Sequence, residues 1–225
     1  MPIKDYLKYY WLEKEYLEKE VYSDFHTKGY LTPEQFFAII EWKNQKFGKT
    51  KISLTDKEIG ELTDDIFNAT SRKERLQILL ENDKGHIRGI RLATASAILT
   101  ILYPMEFTVY DIRVRKQLVK LSKNRKPPLW EEVEVWNKKE KKKEWVPLDI
   151  TSNADAGVKK YLEDYLPAVR KVAEENGKLE LRDCDRALWA KDWYEDLQNF
   201  IGSVDKSGRK KPRKDIQTKI YDKPT

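Results

Sequence analysis

An all-α chain is what the sequence predicts, on three observations. Thr32-Pro33-Glu34-Gln35, Thr55-Asp56-Lys57-Glu58 and Ser71-Arg72-Lys73-Glu74 each set a hydroxyl residue three positions ahead of Glu or Gln. That reciprocal arrangement satisfies the first free amides of a helix. Behind each stands a run of apolar residues at helical spacing. Alternation of the kind a strand needs is concentrated in one stretch, between Leu129 and Asp149.

Taken in order, 2–21 place Tyr6, Leu7, Tyr10, Leu12, Tyr16, Leu17 and Val21 among Lys and Glu, which reads as an amphipathic helix with an aromatic-rich face. Pro33, at the first helical position, pre-sets the backbone of a second helix that carries Phe36, Phe37, Ile39, Ile40 and Trp42 and ends by Gly48. Thr55 opens a third with Ile59, Leu62, Ile66 and Phe67. Ser71 opens a fourth with Leu76, Ile78, Leu79 and Leu80. From 92 to 103 nothing stops a helix until Pro104, and from 111 to 121 a short helix buries Val114, Leu118, Val119 and Leu121. Residues 123–153 read as an insertion, a small β-hairpin or a loop, whose lysine-rich tip is either a solvated turn or a DNA contact. Two helices follow at 155–175 and 182–201, and Pro167 predicts a kink or break near Leu166. The tail, 205–225, is polar and basic and is expected to be flexible, a nonspecific nucleic-acid arm being one use for it.

At 225 residues and 26.7 kDa the chain can bury a sizeable core, as one domain or as two small lobes. Lys and Arg number 44 against 38 Asp and Glu, so the net charge of +6 is a small excess over heavy charge of both signs. That balance permits a polyanionic partner without requiring one. The lone cysteine, Cys184, excludes an internal disulfide, and two histidines do not make a metal site. With no run of 18 apolar residues and no apolar leader, a soluble, cytoplasmic protein is expected.

Function is most legible in 87–114. Gly89, in Ile87-Arg88-Gly89-Ile90-Arg91, can take a positive φ at no steric cost, so this stretch reads as a tight turn opening onto the helix that starts at Leu92. Ala93, Thr94, Ala95, Ser96 and Ala97 let another backbone come close. A turn that opens onto a helix N-terminus points unpaired amides outward, which suits phosphate.

These residues resemble the hairpin of the helix-hairpin-helix superfamily of DNA glycosylases, roughly Leu-Pro-Gly-Val-Gly-x-Lys-x-Ala. Ile87, Gly89, Ile90 and Ala95 match its apolar, glycine and alanine positions. Val109-Tyr110-Asp111-Ile112-Arg113-Val114 resembles the family's Val-Asp-x-x-Val with one inserted tyrosine, and Leu181 to Trp189 resembles a closing-helix segment of uncharacterised relatives. Two positions depart from the pattern. Arg91 replaces the second glycine, and Ala93 stands where bifunctional members carry a Schiff-base lysine, 18 positions ahead of Asp111 as in the endonuclease III branch.

The resemblance implies a fold of two helical lobes over 1–204, with the hairpin at about 76–103 and Asp111 at the cleft between the lobes. It implies a monomer that acts on double-stranded DNA carrying a damaged or modified base, nucleoid-associated within the cell. No cofactor and no metal are expected, and the single cysteine excludes the four-cysteine iron–sulfur cluster of some relatives. Asp111 is the expected catalytic carboxylate, stabilising an oxocarbenium-like sugar and helping to activate water. It also reads simply as the cap of the helix that follows.

Gly89, Arg88, Arg91, Thr94 and Arg113 are the expected phosphate contacts. Trp42, Tyr110 and Trp189 are candidate stacking partners for an everted base, although such aromatics are more often core residues. An alanine at 93 implies a monofunctional, hydrolytic glycosylase, with Lys84 and Lys116 the nearest substitute amines in sequence. Two alternatives stand beside this reading: a catalytically inactive helix-hairpin-helix module that binds DNA or a lesion, and an unrelated helical interaction protein.

Overall fold

The computed structural model describes residues 2–9, 16–44, 52–82, 85–87, 89–123, 125–130, 132–137, 142–147 and 154–202. Its organising element is a helix with no polar face. Helix α5, Leu92–Leu102, buries every residue from Thr94 to Leu102, so it must be surrounded on all sides. Three further helices pack against it: α1 (Tyr22–Lys28), α2 (Pro33–Asn44) and α4 (Arg72–Leu80). The small side chains of Ala95, Ser96 and Ala97 are what allow the close approach. Helix α3, Asp56–Asn68, leans on α2 and α4 through Ile59, Leu62 and Ile66.

The three capping signals form as expected, with one rewiring. Thr32 and Gln35 bond reciprocally, amide to side chain in both directions, at 3.0 and 3.3 Å. Thr55 and Glu58 do the same. At α4 the Ser71 hydroxyl accepts from the Glu74 amide, but the Glu74 carboxylate reaches one residue further back and takes the Thr70 amide at 2.8 Å.

The N-terminal stretch differs from the single amphipathic helix expected there. It begins as a 3-10 helix, Ile3–Tyr9, and returns as a π-helical segment, Tyr16–Val21, that runs straight into α1. The residues between lie outside the described ones. Ile3, Leu17 and Val21 are buried as an apolar stripe should be, whereas Tyr16 stays at the surface.

After α4 a short antiparallel pair, β1 (Glu81–Asn82) with β2 (Gly85–His86), turns the chain toward α5. The Ile90 amide donates to the Ile87 carbonyl at 3.1 Å, and Gly89 sits at φ +92°, so the tight turn and its positive-φ glycine are present. Arg91 does not need the positive φ of the glycine it replaces. It is the N-cap of α5, extended at φ −121°, and is unstrained.

Helix α6, Ile112–Ser122, follows the loop from Tyr103 to Asp111. In the insertion, β3 (Glu132–Asn137) pairs antiparallel with β4 (Lys142–Pro147), Val135 facing Glu144. Its lysine-rich tip falls outside the described residues, as does the basic tail.

The helix expected at 155–175 is interrupted as Pro167 predicted. Helix α7, Ala154–Lys160, widens into a π-helical segment, Tyr161–Tyr165, before α8, Leu166–Glu175. A proline without an N–H is accommodated in the first turn of the new helix, where that donor is not needed. The last helix, α9 (Leu181–Gly202), packs on α6, α8 and the Ile3–Tyr9 helix. Among the described residues, buried apolar side chains from Ile3 to Leu188 join one cluster.

Candidate active site

Asp111 caps α6. Its Oδ1 accepts from the Arg113 amide at 2.8 Å, and its carbonyl accepts from the Arg115 amide. So the capping role read from sequence is real, and it uses only one carboxylate oxygen. The other, Oδ2, receives the ammonium of Lys43 at 2.5 Å, from the last turn of α2. Each of the two side chains is 15 % exposed. Burial pushes the Asp111 carboxyl up, but Lys43 and the Arg113 amide pull harder the other way, and it lies below the ordinary carboxylate range. Asp111 is therefore a fixed negative charge at neutral pH.

The loop that carries Asp111 is held amide by amide. The Tyr161 hydroxyl donates to the Thr108 carbonyl at 2.6 Å and accepts from the Thr108 amide at 3.0 Å. Tyr165, one helical turn on, donates to the Val109 carbonyl at 2.7 Å and accepts from the Asp111 amide at 3.4 Å. The Val109 amide donates to Asp185, and the Tyr110 amide to the Ser96 hydroxyl on α5. Burial raises both tyrosines above their usual range, so they remain hydroxyls and keep these bonds.

Asp185 lies beneath this loop, buried and paired with buried Arg182. The Arg182 guanidinium also lies over the Trp42 ring, 5.4 Å from its centroid, which ties α9 to the helix bearing Lys43. Burial pushes the Asp185 carboxyl up to about 6, with the Asp111 charge adding to the rise and Arg182 opposing it. A carboxyl whose folded pKa is raised stabilises the fold below its ordinary value and loses that contribution as pH climbs through the raised one. Melting temperature should therefore carry a downward component between pH about 4 and 6. Thermal melts of Asp185→Asn across that window should lack it, and an unchanged slope would remove Asp185 as the cause.

The other expected site residues separate. Arg91 is exposed at the start of α5, where it can meet a phosphate. Arg88 lies outside the described residues. Thr94 is only 7 % exposed, and its amide donates to the Arg91 carbonyl at 2.8 Å, so it faces inward instead of toward a ligand.

Arg113 does not join the hairpin. It donates to Asp192 at 2.9 Å and to Asp196 at 2.8 Å on α9, and its guanidinium lies 5.4 Å from the centre of the Trp189 ring. The basic cluster expected from Arg88, Arg91 and Arg113 is thus not formed by Arg113. Its charge is spent on the seam between α6 and α9. The same seam holds Glu195, which takes Lys120, Lys191 and Gln117 and is thereby kept at about 2 despite partial burial.

Of the aromatics, Tyr110 is half-buried against Tyr165 and Tyr161, at ring-centre distances of 5.0 and 6.2 Å. Trp189 packs on the core beside Arg113. Trp42 adjoins Lys43 in sequence, and its buried indole N–H meets no acceptor among the described residues. Of the substitute amines, Lys116 leans toward Asp192 at 4.0 Å, and Lys84 lies outside the described residues.

Lys43 was invisible from sequence. It stands 68 positions from Asp111, and a lysine in the last turn of a helix ordinarily does no more than complement the helix dipole.

A cavity among the described residues lies elsewhere. It has a volume of about 150 Å³ and is lined by Tyr22, His26, Leu102, Tyr103, Pro104, Met105 and Glu106, at the C-terminal end of α5. None of the expected site residues lines it.

Among the described residues no helix is long and apolar enough to cross a membrane. No protein-family model, curated protein or solved structure matches the chain.

Proposed function

We propose that the chain is a DNA glycosylase, cleaving the N-glycosidic bond of a modified or mismatched base in duplex DNA. In this reading Asp111 is the carboxylate that stabilises positive charge developing on the sugar. Arg91, exposed at the start of α5, engages the phosphate backbone, and Gly89 lets that backbone come close. The observation that carries the reading is the state of Asp111: ionised, largely enclosed, and set on a loop whose amides from Thr108 to Tyr110 each donate to a side chain. A charge meant to face a cation gains from being fixed before the reaction begins.

The reading needs no cofactor and treats the chain as a monomer acting on DNA within the cell. A catalytically silent DNA- or lesion-binding module is the second reading. What favours it is that both Asp111 oxygens are engaged, one by Arg113 and one by Lys43.

One screen separates the two. Purified protein is incubated with duplexes that each carry a single modified or mismatched base, then treated with hot alkali to break abasic sites. Breaks at one lesion support the glycosylase, whereas retention of a lesion duplex without breaks supports the binding module. Binding itself should weaken steeply with salt and depend little on sequence. A valine at Gly89 must adopt a φ that β-branched residues avoid, at a cost of about 1–2 kcal/mol, and its side chain obstructs the phosphate. Gly89→Val should weaken duplex affinity in a fluorescence titration while circular dichroism retains its helical signal. Unchanged affinity would take the turn out of the interface.

A further inference from the structure

We propose that Arg72, Arg75 and Arg170 form a binding site for a phosphomonoester group, at the end of the α4 and α5 pair opposite the hairpin. Arg72 opens α4, Arg75 lies one turn on, and Arg170 belongs to α8. All three meet at the turn that follows α5. Arg75 Nη1 donates to Glu106 Oε2 at 3.0 Å, and Arg72 Nε stands 3.6 Å from the same oxygen. Arg170 Nη2 donates to the Met105 carbonyl at 3.1 Å and reaches the Glu106 carbonyl at 3.5 Å. Helix α5 separates this cluster from Gly89 and Arg91 by its 11 residues, about 16 Å, so the inference does not rest on the base-excision reading.

The cluster is more than an ion pair, because its charges do not cancel. Three guanidiniums stand around one carboxylate, an excess of two positive charges. Arg170 bonds to carbonyls and forms no ion pair among the described residues, while Glu174, one turn along α8, stays exposed. Burial holds the Arg170 guanidinium below its ordinary range, and the charge of Arg72 adds to the fall against Glu106 and Glu174. Like charges held this close repel until an anion comes between them. Arg72 also stands at the positive end of the α4 dipole, which favours the same guest.

Donors are left over as well. Arg72 makes no hydrogen bond among the described residues, since 3.6 Å is too long for one, and its side chain is 45 % exposed. Arg170 commits one of its three nitrogens. A guanidinium carries five N–H donors in a fork that matches two oxygens of a phosphate. Two of the three are already fixed in place. Arg75 lies over the Tyr103 ring, 3.9 Å from its centroid, and donates to the Ala69 carbonyl at 3.1 Å, while the Met105 carbonyl holds Arg170. Donors fixed in advance lose little freedom on binding. Charge then selects the ligand: a phosphomonoester carries roughly two negative charges near neutral pH and matches the excess, whereas a backbone phosphodiester carries one.

Two-dimensional NMR of the isotope-labelled full chain, read at the arginine Nε–H signals, tests the site. Methyl phosphate titrated at constant ionic strength and pH about 8, where it is a dianion, should shift the Arg72 and Arg170 signals saturably. Dimethyl phosphate, with a single charge, should bind about tenfold more weakly or less tightly still. Arg72→Gln alters a side chain that holds nothing in the fold, so its melting temperature should match the wild type. Its affinity for methyl phosphate should fall about tenfold or more, the usual loss of one charge-assisted hydrogen bond.

A second pair of probes identifies where the phosphate comes from. A short single-stranded DNA with a 5′-phosphate is compared with the same strand ending in a 5′-hydroxyl. Shifts of Arg72 and Arg170 by the phosphorylated strand alone support the site as one for a strand end. Indistinguishable strands, with methyl phosphate still binding, support it as a site for a small phosphorylated molecule. No saturable shift with methyl phosphate, equal affinity for dimethyl phosphate, or wild-type affinity in the folded Arg72→Gln protein overturns the inference.

Discussion

Asp111→Asn should lower base excision by roughly 10²–10³-fold or to background, the usual loss when one preorganised electrostatic partner of a transition state is removed. Asparagine is nearly the same size and still offers the oxygen a helix start requires. It cannot keep both of the bonds seen here. One oxygen can cap the Arg113 amide or receive Lys43, and the NH₂ that replaces the other oxygen would face a donor. The variant should therefore lose about 1–3 kcal/mol of stability as well. Duplex affinity should hold or rise slightly, because a negative charge has left the neighbourhood of the phosphates. Single-turnover excision assays beside a melting curve separate the two effects. Excision at the wild-type rate by a folded Asp111→Asn protein would take Asp111 out of the mechanism.

Asp192→Ala should be the most destabilising single change on the seam between α6 and α9. Asp192 is 2 % exposed and receives Arg113 at 2.9 Å, Gln117 at 3.1 Å and Lys120 at 3.4 Å. Deleting it removes the buried carboxylate from Arg113 and Gln117 and leaves them only the more exposed Asp196 and Glu195, which costs about 3 kcal/mol, a large share of the 5–15 kcal/mol that holds a domain folded. Asp196, which also accepts from Arg113 but is 39 % exposed, provides the contrast, because Asp196→Ala should cost no more than about 1 kcal/mol. Urea titration of the two variants decides the matter, and equal losses would show that burial of Asp192 does not set its contribution. The Arg113 amide caps onto Asp111, so loosening this seam should also reduce excision, by less than Asp111→Asn does.

The helices were legible because their signals are local. A threonine with Gln or Glu three positions on, a proline at the first helical position, or a Pro167 inside a helical pattern acts within one turn of backbone, and each of these took effect where expected. The N-terminal segment was less so, since apolar spacing fixes which residues are buried but does not distinguish 3-10, α and π winding. Asp111 and Gly89 could be picked out by a local motif. Lys43, Tyr161, Tyr165 and Asp185 could not, because each reaches the 108–111 loop from 53 to 76 positions away and looks in sequence like an ordinary helix residue. The partners of Arg113 were hidden for the same reason. Its carboxylate partners lie on α9, and charge alone did not say whether it would meet a phosphate or an Asp192.

The most direct measurement is the release of free base. Purified protein is incubated with duplex DNA carrying a mixture of oxidised, alkylated, deaminated and mismatched bases, and the small-molecule fraction is read by mass spectrometry. A free modified or mismatched base should accumulate with wild-type protein and be missing with Asp111→Asn. No base released by the wild type, under conditions where it binds the DNA, would contradict base excision at Asp111.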